Sequence, residues 1–381
     1  MPTNPIEDLM SDFQKIRNAS GYEGAQTMRP EFYTSPELLK LEEELLRREW
    51  MCLGRAEEVA NPGDYFTTSI LDEELLVCRN KENEIVVLSN VCRHRGSLVA
   101  TGSGNKQRFS CPYHAWTYTN DGSLVGAPHM AKVSGFSMAD CRLPRFSSEI
   151  WQGFIYVNLD GTAAPLSQRL AKLESSIAGY QIQNKTICYS VEEIWPVNWK
   201  LLSENFMEGY HLSVVHRDSI HQYTPTELCE YFSGGEGYTG YYSNFPRDKP
   251  LRGKCAPALS EADKYRTTMF SVLPAHVVAA AGHLTTYICL QPHGVDQVKA
   301  KIGLIGYDVQ STDRAEIDKA VDLFVRTMAE DKVQLEMISR GLRSRYCQRS
   351  ALAPIDFEGT TWDFYRYLAE NLTSDASVNS H

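Results

Sequence analysis

The sequence has no long uninterrupted hydrophobic run. Residues 1–18 lack the apolar core of a secretion signal. The most apolar long stretch, residues 271–290, is interrupted by Pro274, Gly282 and two histidines, so it predicts buried strands and not a membrane span. We therefore expect a cytoplasmic protein that has no membrane partner.

An excess of positive charge is also missing. The chain has 38 Lys and Arg against 48 Asp and Glu, a formal net charge of -10. A nucleic-acid partner would require a basic face, so this balance argues against one. The 10 cysteines among 381 residues are too sparse for a disulfide scaffold, and we expect reduced thiols and metal ligands instead.

The residue pattern changes along the chain and predicts an α+β protein. Residues 1–45 form a helical N-terminal segment. Residues 46–160 contain short alternating runs separated by turn clusters, the pattern of a small all-β domain. Residues 161–381 mix helices and strands and include an amphipathic helix over 313–342. A chain of 381 residues is long enough for such separate domains.

The β region carries a spaced set of metal-ligand residues. Cys92, His94, Cys111 and His114 follow the pattern C-x-H-x16-C-x2-H. A tetrahedral zinc site is the structural alternative, but zinc sites more often pair cysteine with cysteine. Each of these loops mixes the two ligand types, so one iron of a [2Fe–2S] cluster can take the cysteines and the other the histidines. Neutral imidazoles raise the reduction potential of such a cluster.

A second set of candidate ligands lies between residues 199 and 216, a run that looks helical. Glu208 and His211 are three residues apart, which places them on one helix face. His211 and His216 are about 140° apart on an ideal helix, so both bind one metal only if the helix ends or bulges between them. His221 is a competing ligand, which the spacing from Glu208 disfavours.

The long helix offers a carboxylate for the same metal. Asp331 lies in the middle of an apolar stripe, where a charge is costly unless it is paired or binds a metal. Two histidines and one carboxylate form the facial set that binds Fe(II) with open positions. A salt bridge to a buried arginine is the alternative, and Glu330 is expected to be a solvated charge. The predicted stripe consists of Val321, Phe324, Met328, Leu335 and Ile338.

Both motifs resemble those of a known family, the large subunits of Rieske non-haem iron oxygenases. CRHRG followed by CPYHAWTY resembles the Rieske motif, including Tyr113 and Trp116. Residues 126–128, GAP, resemble its proline loop. Gly96 stands where respiratory Rieske proteins carry a disulfide cysteine, so the oxygenase branch fits better. The resemblance implies that residues 46–160 are a Rieske [2Fe–2S] domain.

The stretch NWK…ENFMEGYH…H resembles the catalytic motif of the same family. The resemblance implies that His211, His216 and Asp331 bind a mononuclear Fe(II). It also implies that Glu208 bridges this iron site to the Rieske histidine of the next subunit, and that Asn205 lies beside the iron. The catalytic domain, 161–381, is then a helix-grip fold with a curved antiparallel sheet, on which the segment 1–45 packs.

The family works as rings of three, so the resemblance implies a homotrimer. The motif GEGYTG at 235–240 has no strong strand before it and no clear helix after it, so we expect no nucleotide site. Electrons must then come from a separate NAD(P)H-dependent flavin or iron–sulfur reductase, with O2 as co-substrate. The rival from another class is a non-catalytic electron carrier or zinc-binding protein.

The form ENFMEGYH, with glutamate at the bridging position, resembles the branch that oxidises choline, carnitine and glycine betaine. We therefore expect a terminal oxygenase that demethylates, hydroxylates or cleaves a small quaternary ammonium compound. The alternative is hydroxylation of an aromatic acid or heterocycle. The aromatic residues between Tyr223 and Phe245 could form a cation–π cage or pack into a subunit interface. They include Tyr231, Phe232, Tyr238, Tyr241 and Tyr242.

Overall fold

The structure is a computed structural model that describes residues 5–251 and 253–373. The chain divides into two compact units. One comprises Arg47–Leu166, and the other comprises the described residues up to Leu46 together with those from Ser167 onward. Within the described ranges, no helix is both long and apolar enough to cross a membrane.

The unit Arg47–Leu166 is all-β. A seven-stranded antiparallel sheet has the order β1-β10-β9-β4-β3-β2-β5, and a three-stranded sheet has the order β6-β7-β8. The strands are β1 (Trp50–Arg55), β2 (Asp64–Ile70), β3 (Glu73–Arg79), β4 (Ile85–Ser89), β5 (Ser103–Asn105), β6 (Arg108–Ser110), β7 (Thr117–Thr119), β8 (Leu124–Gly126), β9 (Arg145–Trp151) and β10 (Phe154–Asn158).

The core of this unit is apolar and lies beneath the two loops that carry the first motif. Strand alternation directs Leu76 and Cys78 of β3, and Val86 and Leu88 of β4, into one cluster. Phe109 of β6, with Trp116 and Tyr118, belongs to the same cluster, as do Cys92 and Cys111 themselves. The apolar core therefore supports the bases of both loops. The full cluster comprises Tyr65, Leu76, Cys78, Val86, Leu88, Cys92, Val99, Ala100, Phe109, Cys111, Trp116, Tyr118, Leu124 and Leu143.

The second unit places helices on a seven-stranded antiparallel sheet of order β11-β17-β16-β15-β14-β13-β12. The helices are α1 (Pro5–Arg17), α2 (Glu31–Thr34), α3 (Pro36–Arg48), α4 (Leu166–Arg169), α5 (Ala171–Ile177), α6 (Trp199–Met207), α7 (Leu212–Val215), α8 (Arg314–Gly341) and α9 (Ile355–Thr373). The strands are β11 (Thr186–Trp195), β12 (Cys229–Gly235), β13 (Tyr238–Asn244), β14 (Arg266–Val272), β15 (His276–Ala280), β16 (Leu284–Pro292) and β17 (Val298–Gly306). Helix α6 packs on β14 to β17 and contacts α8 and α9.

The predicted long helix is present as α8. Asp313 caps it, since its carboxylate accepts a hydrogen bond from the Ala315 N–H at 3.1 Å. Phe324, Met328, Asp331 and Leu335 are buried, as the apolar stripe predicted. The prediction for Ile338 was wrong, because its side chain is 47% exposed beside the equally exposed Met337. The helix therefore leaves the core after Leu335.

The predicted fold class is confirmed: the chain is α+β, with a small all-β unit and a larger unit built on an antiparallel sheet. The segment before Leu46 groups with the larger unit, in which α1 packs against α9. Helix α6 carries the first part of the second motif and contacts both α8 and the sheet. These elements therefore position that site.

Candidate metal centres and substrate cavity

The two loops of the first motif have the same backbone turn. In each, the N–H of the residue four positions after the cysteine donates to the cysteine carbonyl, at 3.0 Å for Gly96 to Cys92 and 3.0 Å for Ala115 to Cys111. Both of those residues have left-handed backbone, with φ of 76° at Gly96 and 58° at Ala115. Each loop therefore turns back just after its histidine.

This turn presents the four ligand side chains together. The Nδ1 atoms of His94 and His114 lie 3.1 Å apart, close enough to bind one metal ion. His94 is exposed, whereas Cys92 and Cys111 are each only 3% exposed. The loop pair thus has a sulfur side within the unit and an imidazole side at its surface.

Neighbouring groups prepare these ligands. Burial opposes ionisation of the Cys111 thiol, but the backbone N–H groups of Tyr113 and His114 and the nearby Cys92 outweigh it, so the pKa of Cys111 is lowered. The indole of Trp116 stacks on the His94 ring with an interplanar angle of 8°. Thiolates and oriented imidazoles are the ligands of a [2Fe–2S] cluster of the mixed Cys–His type.

The second motif is not one continuous helix, so the predicted helix over 199–216 was wrong. Helix α6 ends at Met207, and Glu208 has extended backbone (φ −128°, ψ 148°). Gly209 passes so close to β12 that a Cβ there would lie 2.5 Å from the Cys229 sulfur. A side chain does not fit in this gap, and the chain restarts as the short helix α7 at Leu212. The break therefore precedes His211.

Helix α7 ends at Val215, so His211 and His216 stand at its two ends, and the second ligand set comes together there. His216 Nε2 lies 3.1 Å from Asp331 Oδ1, and His211 Nε2 lies 3.6 Å from the same oxygen. Candidate ligand atoms of these three residues all lie within 4.8 Å of one another. Asp331 is 2% exposed, and its contacts within the described chain are these imidazoles and the Asn205 amide, not the arginine of the alternative prediction.

A carboxylate contacts the outer nitrogen of each histidine. Glu208 Oε1 contacts His211 Nδ1, and Glu330 Oε2 lies 2.8 Å from His216 Nδ1. Ser219 Oγ donates to Glu330 Oε2 at 2.6 Å. The prediction that Glu330 is a solvated charge was wrong, since position 330 of α8 faces His216 and its side chain is only 23% exposed. Both imidazoles therefore carry their proton at Nδ1 and direct Nε2 towards Asp331.

The electrostatics of His211 follow from the same carboxylates. Burial opposes its positive charge, but Glu208 and Asp331 outweigh burial, so the pKa of His211 is raised. His221 lies outside the cluster, with Nδ1 3.1 Å from Ser213 Oγ. Asn205 does lie beside the cluster, with its Nδ2 3.4 Å from both His211 Nε2 and Asp331 Oδ1. The Asn205 Oδ1 is buried and has no hydrogen-bond partner.

Behind α6 lies a charged network that sequence reasoning missed. Lys200 Nζ donates to Glu42 Oε1 at 2.6 Å, and both side chains are buried. The Glu204 carboxyl lies between the hydroxyls of Tyr33 and Tyr365, at 2.8 Å and 3.2 Å. Desolvation raises the pKa of Glu204 to about 8. This network joins α2, α3 and α9 to the helix that carries Asn205.

A cavity of about 190 Å³ opens from the His211 side of this cluster onto the sheet. The strand register places its sheet wall in two rows. Tyr241 pairs with Met269, and Ser243 pairs with Thr267, across β13 and β14. The row of Tyr241 continues through Ala279 on β15, Thr286 on β16 and Leu304 on β17. The row of Ser243 continues through Ala281 and Leu284.

The aromatic residues predicted to form a cage separate into two groups. Tyr223, Tyr241 and Phe245 line the cavity. Tyr242 points to the other face of β13, where the Arg266 guanidinium lies 3.7 Å from its ring centroid. Tyr231 pairs with Tyr241 and shares its face of the sheet, but the Tyr231 hydroxyl donates to Asp363 of α9 at 2.9 Å and the side chain does not line the cavity. Because side chains alternate along a strand, the run of tyrosines could not all face one cavity.

Family models match both parts of the chain. Residues 49–137 match the Rieske [2Fe-2S] domain, so the first motif belongs to an iron–sulfur domain and not to a zinc site. Residues 180–374, just over half of the chain, match the ring hydroxylating alpha subunit (catalytic domain). The second match contains both histidines and Asp331.

Several named proteins align with most of the chain. The carnitine monooxygenase oxygenase subunit of Acinetobacter baumannii is 29% identical over 358 residues, covering 89% of this chain and 90% of that protein. The chloroplastic choline monooxygenase of Beta vulgaris is 26% identical over 361 residues, covering 92% of this chain and 78% of that protein.

A solved structure of similar fold is that of the quaternary ammonium Rieske monooxygenase CntA in complex with an inhibitor. It has a TM-score of 0.81 at 22% identity and covers 92% of this chain and 96% of that chain. Identity at this level supports the fold alone. The two family matches show that the chain belongs to the Rieske non-haem iron oxygenases, as an alpha subunit that carries both the [2Fe–2S] domain and the catalytic domain.

Proposed function

We propose that the protein is the terminal oxygenase of a two-component Rieske system that oxidises a small quaternary ammonium compound. The observation that carries this proposal is the cluster of His211, His216 and Asp331 at one end of a largely apolar cavity. In this assignment residues 46–160 are the Rieske domain, residues 161–381 are the catalytic domain, and residues 1–45 pack on the latter.

His211, His216 and Asp331 are the proposed ligands of a mononuclear Fe(II). The donor set fits, because two imidazoles and one carboxylate leave positions open, and the short separations of their donor atoms suit a single ion. Fe(II) bound there would supply the activation of O2. Glu208 and Glu330 hold the two imidazoles in the tautomer that leaves Nε2 free to bind the metal.

Cys92, His94, Cys111 and His114 are the proposed cluster ligands. The 3.1 Å separation of the histidine nitrogens and the two buried sulfurs support this set. A [2Fe–2S] cluster bound there would supply one-electron storage. The exposed imidazole side gives a separate reductase, dependent on NAD(P)H, a place to deliver electrons.

Glu208 is the proposed bridge to the Rieske histidine of a neighbouring subunit in a ring of three. Its carboxylate already contacts His211 and lies near the protein surface, with 16% of its side chain exposed. Tyr210 and Val214 flank it and are 57% and 79% exposed. Exposed apolar side chains beside a charged group fit a subunit contact. Asn205, with its unpartnered Oδ1, faces the same reaction space.

The substrate class rests on the relatives and on the cavity. Relatives that match most of this chain are named for carnitine and choline. The cavity size suits a small molecule. The Tyr241 ring, beside the proposed metal ligands, can attract an ammonium group, and Asp331 places negative charge at the same end. No lysine or arginine is among the described residues that line the cavity, which disfavours substrates with a carboxylate, including the aromatic acid of the alternative.

The proposed reaction inserts one oxygen atom of O2 into a C–H bond, while two electrons and two protons reduce the other atom to water. Attack on an N-methyl carbon gives a hemiaminal, which releases formaldehyde and a tertiary amine. Attack on another carbon gives an alcohol or breaks the C–N bond. The apolar walls exclude water from the reacting carbon.

A single-turnover experiment tests the proposal. The purified protein is reduced, then exposed to O2 with a pool of choline, carnitine, glycine betaine and aromatic acids, and the products are identified by mass spectrometry. We expect a demethylated, hydroxylated or cleaved ammonium product and none from Asp331→Ala. A hydroxylated aromatic acid instead would overturn the substrate class and retain the oxygenase chemistry.

A further inference from the structure

One hydroxyl group in the cavity wall has no adequate partner. Ser243 on β13 is 2% exposed and lines the cavity, yet its Oγ makes no hydrogen bond to a nitrogen or oxygen atom. The neighbouring polar group is the thiol of Cys229, whose pKa burial raises to about 12. A neutral thiol is a weak hydrogen-bond partner. A buried hydroxyl left in this state costs free energy unless a ligand satisfies it.

The strand geometry indicates how far Ser243 lies from the proposed iron site. Tyr241 lies two residues earlier on the same strand face, and its hydroxyl donates to the Glu208 carbonyl at 3.1 Å, beside the iron ligands. Two residues along a strand span about 6.6 Å. Ser243 and its cross-strand neighbour Thr267 therefore lie one row further from the iron ligands, within reach of the far end of a small substrate.

The charges of the cavity indicate what Ser243 binds. Among the lining residues that the structure describes, lysine and arginine do not occur, whereas hydroxyl groups occur on Tyr223, Thr224, Tyr241, Ser243, Thr267, Thr286 and Thr327. A carboxylate placed there would lose its hydration without gaining a lysine or arginine partner, which is costly. A substrate hydroxyl, in contrast, can donate to one wall hydroxyl and accept from another.

We propose that Ser243, with Thr267 beside it, binds the hydroxyl group of an N-methylated amino alcohol and so orients its ammonium end towards His211 and Asp331. The inference rests on the proposed function and narrows its substrate class. Choline, with one hydroxyl and no carboxylate, has this chemistry. Ser243 is then a specificity residue, which selects between ammonium compounds by the group at their far end.

The test compares choline with propyltrimethylammonium, which has a methyl group where choline has its hydroxyl. Binding of both to the anaerobic holoenzyme is measured by calorimetry. Since one hydrogen bond is worth about 1 kcal/mol, we expect the wild-type protein to prefer choline by about three- to tenfold. Ser243→Ala should abolish this preference and leave the affinity for propyltrimethylammonium within about twofold.

Ser233→Ala is the matched control, because Ser233 is an exposed serine on the adjacent strand β12. Thr267→Val is a second variant, for the case in which Ser243→Ala does not fold. It should also reduce the preference for choline over propyltrimethylammonium. A preference that persists in both cavity variants would overturn the inference, as would tighter binding of glycine betaine than of choline. Turnover assays separate the two proposals: an ammonium product with unchanged preference refutes this inference alone, and failure to bind any ammonium compound refutes both.

Discussion

His94 and His114 lie on two turned-back loops at the surface of the Rieske unit, whereas His216 is buried and His211 is half-buried in the catalytic unit. The Rieske pair has aromatic neighbours, such as Trp116 stacked on His94. The second pair has a carboxylate behind each imidazole. An exposed imidazole edge suits the exchange of electrons with a partner, and an enclosed one suits chemistry from which water must be kept out.

The residues that support the two sites also differ, since those beneath the Rieske loops are apolar and those around α6 are charged or polar. The Rieske loops stand on an apolar cluster of strand residues. Helix α6 is held in place by two of its own side chains. Lys200 forms an ion pair with Glu42, and Glu204 lies between two tyrosine hydroxyls. An apolar support is insensitive to pH, whereas a charged one titrates. The Rieske loops therefore rest mainly on residues that do not titrate, whereas α6, beside the proposed iron site, is held by titratable groups.

Asp331→Ala should have the largest effect, since it removes the carboxylate that both histidines face and that is the proposed third metal ligand. Because a bound metal supplies several kcal/mol of catalysis, we expect turnover to fall by at least about 10³-fold. Iron content should fall from about three to about two per chain with sulfide unchanged at about two. Asp322→Ala, an exposed aspartate on the same helix, should behave as wild type. Loss of the cluster absorbance in Asp331→Ala would show that the two sites are not independent.

Glu208→Gln should leave both sites filled and disconnect them. Glutamine keeps the side-chain shape but not the charge that Glu208 presents to His211. We expect the rate of cluster reoxidation in a single turnover to fall by about 10²-fold or more, which corresponds to about 2.7 kcal/mol. Stopped-flow absorbance of the cluster measures it. Glu236→Gln, in an exposed turn, is the control. Normal turnover of Glu208→Gln would refute the bridging role.

Glu330→Gln should act on the iron site alone. The carboxylate that receives Ser219 Oγ and contacts His216 Nδ1 would be lost. Loss of such an outer carboxylate typically lowers metal affinity by about 10- to 100-fold. Competition with a chelator measures the affinity without turnover. Ser219→Ala should give a smaller effect in the same direction, and Glu316→Gln, exposed on the same helix, none. Equal affinities in all variants would contradict this role.

Glu204→Gln should show that the stability contributed by Glu204, which supports α6, depends on pH. The pKa of Glu204 is raised from 4.5 to about 8, so between these values the folded protein keeps a proton that the unfolded chain releases. The stability this contributes is present at acid pH and is lost as pH rises towards 8. Relative to wild type, the variant should therefore gain about 3 kcal/mol in unfolding free energy between pH 5 and pH 8. Denaturant unfolding at both pH values measures this, with Glu44→Gln as the exposed control.

The sequence allowed the fold class and the family to be predicted because those features are encoded by local spacing. Mixed Cys–His loops and alternating strand patterns are visible without coordinates. What it did not reveal depends on contacts between distant segments. Glu330 looked solvated because its partner His216, which follows α7, is far away in the sequence. The break before His211 depends on Cys229 of β12 lying against Gly209.

The aromatic run was misread for a related reason. Tyr241 and Tyr242 are equivalent in composition, yet strand alternation places one in the cavity and the other beneath Arg266. Ser243 was missed altogether, because nothing in its local sequence distinguishes a satisfied hydroxyl from an unsatisfied one. The position of Asp331 was predictable, since a single carboxylate interrupts an otherwise apolar helix face.

The two-row cavity wall has a practical consequence for enzyme engineering. The row of Tyr241 lies beside the proposed metal ligands, but the row of Ser243 consists of single positions on neighbouring strands, with no ligand among them. Those positions can be randomised together while the reactive end stays intact. A compact library at Ser243, Thr267, Ala281 and Leu284 would therefore redirect the enzyme to new amines by changing only the far wall of its active site.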